Sequence, residues 1–189
     1  METTESTPTT TKTIWNLDPA HSNLEFSVKH MMISTVKGHF GNFSASVNES
    51  TGDFSNAQIA VEINTDSIHT GQEQREGHLK SGDFFDVEKF PKANFVSTSV
   101  EKTGTPGEYK VKGDLTIKGI TKPVVLDVEF NGINTDPYGN EKAGFEFKTK
   151  INRSDYELNW NVPLETGGLL VSTDVKIFGG IQLVKQKEA

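Results

Sequence analysis

At 189 residues, with 33% hydrophobic and 24% charged residues and 17 glycines, the chain has the size and composition of one ordinary domain that can bury a substantial core. Its 26 acidic against 19 basic residues give a net charge of −7, which repels a phosphate backbone and argues against nucleic acid as a partner. With no cysteine, disulfides, thiolate metal sites and cysteine nucleophiles are excluded. No apolar run approaches the roughly 18 residues of a membrane-spanning helix. The amino end, METTESTPTTTK, lacks the basic and then apolar plan of a secretory signal. The expected location is therefore cytoplasmic as the sequence stands, or periplasmic if a signal has been removed. Asn-x-Ser sequons begin at Asn42, Asn48 and Asn152 and are read as chance.

Residues 1–12 are Thr-rich with no apolar period, a composition that does not offset its ordering entropy, so a disordered tail is expected there and one domain over 13–189. Ile14, Trp15 and Leu17 open a first strand that Asp18-Pro19 closes, because proline donates no ladder hydrogen bond. Leu24, Phe26, Val28 and His30 then alternate with polar residues, the period of a half-buried strand. Val36, Gly38 and Phe40 continue it, and Phe43, Ala45 and Val47 follow in the opposite parity. The slip at Gly41-Asn42 reads as a β-bulge that bends the sheet. A fourth strand carries Ile59, Val61 and Ile63.

Between 65 and 91 the period breaks, in what reads as the one long excursion from strand structure. Thr70 with Glu73 resembles a capping box, Arg75, His78 and Leu79 share a helical face, and Gly82 is a stop, so a short helix is expected. With little apolar face, it should lie on a surface or close one end of the fold, pinned by Leu79, Phe84 and Phe85. From Ala93 strands are expected to run on without further interruption. A long hairpin turns at 118–121, Asp136-Pro137-Tyr138-Gly139 makes another turn, and a last strand keeps one parity from Val171 to Leu183.

About eight strands with one apolar face each must close on themselves or pair face to face. Strands of about 12 residues span roughly 40 Å, longer than a compact sandwich requires, so the expected fold is all-β: an elongated antiparallel eight-stranded barrel with one short helix in a long loop. Such a barrel is either filled by side chains or holds one small ligand.

Trp15, Asp18, His21-Ser22, Phe26, His30, Gly38, Phe40 and Phe43, then Arg75, His78-Leu79, Asp83-Phe84-Phe85-Asp86, Phe90-Pro91, the run 113–119 (GDLTIKG), and Arg153-Ser154-Asp155 with the terminal alternating strand form one pattern. In these residues the chain resembles the YceI-like family of polyisoprenoid-binding, lipocalin-like proteins, over nearly all of 15–184. The resemblance implies a lipocalin-like lipid-binding barrel over 13–189, holding a long unbranched or isoprenoid amphiphile. Many such relatives are exported.

The expected ligand-binding residues are Phe26, Val28, His30, Phe40, Phe43, Leu115, Ile117 and Phe147 in the bore, with Arg75 and His78 at the head group. An arginine fork beside an imidazole can receive a phosphate, a phenol or an amide. The competing reading makes Arg75 a clasp that salt-bridges Asp83, Asp86 or Glu76. His30 reads as a hydrogen-bonded interior histidine. Asp83 and Asp86 read as solvated, or as partners of Lys80 and Lys89. His21, His30 and His39 recur every ninth residue without a metal-binding spacing, so no metal is expected and no cofactor is implied. No Gly-x-Ser-x-Gly elbow, phosphate-cradling loop or triad order is present, which argues against an enzyme. The leading reading is non-enzymatic binding, transport or storage of a hydrophobic small molecule. The alternatives are an enzyme acting on such a molecule and an interaction module with a solid core. A homodimer is left open.

Overall fold

The computed structural model describes residues 11–188, so the tail expected over 1–12 falls, for 1–10, outside the described residues. Strands β1 (Thr13–Leu17), β2 (Glu25–His30), β3 (Ser34–Phe40), β4 (Phe43–Glu49), β5 (Gln58–Asn64) and β6 (Ile68–His69) precede the helix α1 (Glu73–Lys80). After it come β7 (Lys92–Lys102), β8 (Glu108–Ile117), β9 (Ile120–Thr135), β10 (Glu141–Asn152) and β11 (Asp174–Lys185). All pairings are antiparallel. The order β1-β4-β5-β7-β8-β9-β10-β11 closes because β11 also pairs with β1, giving the expected barrel of eight strands.

The ring closes through broken strands. β1 and β2 lie end to end along one edge of β11, which pairs Leu17 with Leu183 and Phe26 with Ile177. Between them Asp18 caps a single 3-10 turn, Pro19–His21, its Oδ1 accepting from the Ala20 N–H at 3.1 Å. β3 and β4 repeat the arrangement, β3 beside β2 and β4 beside β1. The parity slip at Gly41-Asn42 is therefore a break between two strands rather than the expected bulge. The register shifts lie elsewhere, between Gly144 and Phe145 and between Ser97 and Ser99. On its far edge β3 meets only the two residues of β6, so the ring parts at this end.

The helix forms where expected, with no fully buried residue; its Leu79, partly buried, packs against the core together with Phe84 and Phe85 just beyond its end. The strands do not continue unbroken after residue 93. A second excursion spans 153–173, beginning with the 3-10 turn Arg153–Tyr156, and Val171 makes only an isolated bridge to His30. The backbone carbonyls of this stretch are drawn away from a ladder by the Arg153 side chain. At the opposite end, Trp15, Val47, Phe54, Ala57, Ala143 and Leu183 form a closed core. Phe54 lies at its centre, with ring centroids 5.4 Å from Trp15, 5.4 Å from Phe130 and 5.0 Å from Phe145. Among the described residues no helix is long and apolar enough to cross a membrane.

β11 passes the break between β1 and β2 at Gly179-Gly180. There the Asn23 N–H donates to the Gly180 carbonyl at 2.8 Å, and the Gly180 N–H to Asn23 Oδ1 at 2.6 Å. A Cβ on Gly179 would stand 2.1 Å from the Asn23 carbonyl oxygen, a backbone atom with no room to yield. Gly179→Ala is expected to lower stability by roughly 1–3 kcal/mol or more. Gly144→Ala, whose Cβ would meet only Asn131 Cβ at 3.7 Å, should stay near neutral. Denaturant melts of the two variants check this, and equal midpoints would remove the steric account.

Candidate ligand site

The barrel interior is not filled. An inner cavity of about 180 Å³ is walled by aliphatic and aromatic side chains, among them Val47, Phe95, Val111, Leu126, Phe145 and Ile181, and Phe54 lies at its closed end. An outer cavity of about 550 Å³ lies where the ring parts, bounded by β2, β3, the α1 region and the 153–173 segment. Leu24, Ile63, Leu115 and Ile177 line both, so the two chambers meet at a common waist.

Of the residues expected to bind ligand, Phe26, Val28, His30, Phe40, Arg75, His78, Leu115 and Ile117 stand on the outer wall. Phe43 and Phe147 stand on the inner wall, with Leu115. Inward parity puts the strand residues there, since period-two alternation gives each strand one face toward the bore, and Arg75 and His78 reach the wall from α1. Phe26 lies over Gly38, where a Cβ would come within 2.4 Å of Phe26 Cζ. Phe26, Phe40 and Phe85 then follow one another at 5.7 and 5.9 Å. His30 differs from expectation, because its ring makes no hydrogen bond to protein among the described residues.

The start of α1 departs from the expected capping box. Gly71 takes φ +82°, Gln72 becomes the N-cap without a side-chain hydrogen bond, and the carboxylate that reaches back is that of Glu76. It accepts from the Thr70 N–H at 2.7 Å and the Gly71 N–H at 3.0 Å, and meets His69 Nδ1 at 3.0 Å. The Thr70 N–H, and then the His69 charge, hold the Glu76 carboxyl below its ordinary range. Glu73 is one turn position too early to face back.

Arg75 forms none of the salt bridges the clasp reading expects. Its Nε donates to Thr70 Oγ1 at 2.9 Å and its Nη2 to the Thr70 carbonyl at 2.8 Å, while Nη1 has no protein acceptor among the described residues. Asp83 stays solvent-exposed, as expected, and its Oδ2 meets His78 Nε2 at 2.9 Å rather than a lysine. The His78 ring also stands edge-on to Trp160 at 4.7 Å and Phe84 at 5.1 Å. Asp86 faces Lys89 at 3.8 Å, and Lys80 faces Asp66 at 3.4 Å.

Arg153 and Trp160 complete the outer wall and carry no role in the sequence reading. Arg153 is 4% exposed. Its Nε donates to the Ser172 carbonyl at 2.9 Å, Nη1 to Trp160 at 3.0 Å and also to Leu158, and Nη2 to Val171 at 3.2 Å. No carboxylate pairs with it among the described residues, so a buried cation is met by neutral dipoles alone. The signal available was parity: Arg153 follows inward-facing Ile151 by two residues, a charge where the pattern calls for an apolar side chain. Nearby, Tyr156 Oη is buried without a hydrogen-bond partner among the described residues, and burial together with the Asp155 charge pushes its pKa up to about 12. His39 and His69 meet across β3 and β6 with ring centroids 5.1 Å apart, but no group of three potential metal-ligating His, Asp or Glu side chains occurs among the described residues.

A YceI-like domain model matches residues 15–183. The chain belongs to the YceI-like family. A UPF0312 protein of Staphylococcus aureus (strain MSSA476) is 46% identical over 165 residues, covering 87% of this chain and 93% of that protein. The YCEI protein of Campylobacter jejuni is 31% identical with a TM-score of 0.65, over 85% of this chain and 90% of that one. BcnA of Burkholderia cenocepacia gives a TM-score of 0.74 at 25% identity, over 88% of this chain and 98% of that one. A polyisoprenoid binding domain from Saccharophagus degradans gives 0.68 at 16% identity, over 91% and 98%, a likeness of fold alone. The all-β barrel and the family are thus those the sequence pattern implies.

Arg153→Leu should destabilise the protein by roughly 3 kcal/mol or more, since several buried carbonyls lose their donor at roughly 1–3 kcal/mol each. Amide exchange should quicken first in 157–173. Lys, which cannot reproduce the fork, should recover less than half of the loss. Full recovery with Lys would show that charge rather than geometry matters.

Proposed function

We propose that this YceI-like barrel binds one long-chain amphiphile, a polyisoprenoid or a fatty-acid-like lipid, tail inward, and carries or stores it without chemical change. The observation that carries the reading is the shape of the bore. An apolar blind chamber joins, through a waist of Leu24, Ile63, Leu115 and Ile177, a larger one whose wall bears Arg75 and His78. Apolar surface favours a hydrocarbon tail at about 25 cal/mol per Å² removed from water, and the inner chamber offers that tail nothing polar to bind. The outer chamber's size falls within the range of about 300–1,000 Å³ typical of small-molecule sites. Unfilled volume on this scale speaks against a module whose barrel is packed solid.

A binding role is also favoured over catalysis. His78, the imidazole beside Arg75, is engaged by Asp83, Phe84 and Trp160 rather than by a hydroxyl it might activate. Two directed donors of Arg75 fix its guanidinium through Thr70 and leave Nη1 for a head group.

Mass spectrometry of an organic extract of the purified protein should show a long-chain lipid. Val28→Trp, placed on the half-open outer wall, should block uptake of such lipids and leave the fold intact. A melt that shifts by roughly 1–3 kcal/mol with uptake unchanged would instead mean a packed core.

Arg75→Ala should weaken an anionic ligand more than a neutral one of equal chain length, by about 1.5–3 kcal/mol, the value of a charge-assisted hydrogen bond. Titration of both ligands checks this. Equal losses, or none, would reduce Arg75 to a brace for the Thr70 turn.

A further inference from the structure

The turn between β2 and β3 breaks a local rule. Met31 and Met32 have φ values of 52° and 62°, both in the left-handed region, and the Ile33 N–H closes the turn on the His30 carbonyl at 3.2 Å. Turns with two positive φ values strongly favour Asn-Gly or other Asn, Asp and Gly pairs. Here the positions are held by two methionines, and strain kept at such a position points to use.

The same turn is apolar and uncovered. Met31, Met32 and Ile33 are 43%, 62% and 83% exposed. Val162 and Leu169 of the facing loop are also exposed, and the two segments are joined, with Met31 N–H on the Leu170 carbonyl at 2.7 Å and Leu170 N–H on that of Val162 at 2.9 Å. Among the described residues, half of the exposed large apolar side chains, five of ten, thus gather at one tip. That tip adjoins the outer chamber, whose wall includes His30, Val36, Leu170 and Val171.

Charge separates this tip from the rest of the surface. The run 26–48 carries Lys29 and Lys37, both exposed, and no carboxylate, in a chain of net charge −7. Across from it, the 162–169 loop adds one carboxylate, Glu165. Apolar side chains at the apex with lysines behind them match a bilayer interface, with acyl chains below and anionic head groups at the rim.

We propose that the Met31-Met32-Ile33 tip, with Val162 and Leu169, docks on an anionic membrane surface and brings the outer chamber to the lipid. Docking stands on the tip alone; only the nature of what passes through it rests on the reading of the bore.

The test is flotation of the full chain with vesicles of phosphatidylcholine alone and of equimolar phosphatidylcholine and phosphatidylglycerol. The chain should float with the mixed vesicles, more weakly with the neutral ones, and less as salt is raised. The double variant Met31→Asn, Met32→Gly relieves the turn while removing its apolar side chains. It should lose roughly tenfold or more in vesicle partition, with a thermal midpoint equal to or above that of the parent. If its midpoint falls, Ile33→Ser decides, since that side chain is 83% exposed and its loss leaves the turn backbone unchanged. A parent that does not float, or variants that float as well as it does, would overturn the proposal. So would a dimer, seen by sedimentation, that the double variant dissolves while the parent shows no vesicle binding. Uptake of a fluorescent fatty acid without vesicles should be the same in parent and variants. If the parent takes up none, the reading of the bore fails while the flotation result still judges the docking surface.

Discussion

The fold depends on β1 being paired on both edges, with β4 on one side and β11 on the other. A strand edge left open on a sheet this long would be an aggregation site, and closure removes it. Closure also dictates the breaks. β11 runs for 12 residues, but β1 covers only its last part, so the first strand must step across Asp18-Pro19 before β2 resumes alongside Phe26 and Ile177. That step is what makes Gly179 sterically obligatory. At the β1 end the hydrogen bonds continue all round, whereas at the β2 end β3 finds only β6. The ring therefore opens there, and the α1 region and the 153–173 segment fill the gap with side chains rather than with a ladder.

The strands were legible because a half-buried strand writes its burial into the sequence at period two, and that is the pattern of β2, β8 and β11. The eight strand residues expected in the bore stand on its walls for the same reason, whereas Arg75 and His78 reach the outer wall from α1; their binding role is a separate proposal. What was illegible has no period. The 153–173 segment turns Leu158, Trp160, Leu170 and Val171 to the chamber from irregular backbone, so its inward positions follow the carbonyls that Arg153 collects rather than any fixed spacing. Val171 and Thr173 continue the parity of β11 in sequence, although the strand begins only at Asp174 and Val171 forms just an isolated bridge. Thr70 and Glu73 satisfy the spacing of a capping box, but a glycine at φ +82° shifted the helix start and handed the role to Glu76. Phe54 sits in a turn-rich loop that gives no sign that its ring enters the barrel.

Phe54 shows how the blind end is held. It has φ 63°, where an L-residue costs about 1–2 kcal/mol. Burying a phenylalanine to 4% exposure contributes about 1.5–3 kcal/mol. Its contacts with Trp15, Phe130 and Phe145 contribute about 0.5–1.5 kcal/mol each beyond that. Packing therefore outweighs strain, and the loop stays folded in. The neighbouring Tyr109 hydroxyl, donating to the Asp53 carbonyl at 2.6 Å, fixes the residue just before the strained one. Side chains from loop and strand thus seal this end, and the space left between it and the waist is walled by apolar side chains.

The two guanidinium groups on the outer wall divide their work by how their donors are satisfied. Arg153 gives its donors to backbone carbonyls, which solvate the charge without cancelling it; Arg75 gives two to Thr70 and keeps Nη1. A pair of opposite charges 4 Å apart interacts by about 1 kcal/mol in water but about 4 kcal/mol at the effective dielectric near a protein surface. Under the binding role proposed above, an anionic group entering the chamber would meet Arg75 as a contact and Arg153 as a field, with Glu25 the one carboxylate among the lining residues. A carboxylate beside Arg153 would have stabilised the clasp as well, but it would have removed that field. Satisfying a buried cation with dipoles holds the 153–173 segment in place and leaves its charge without a carboxylate partner among the described residues.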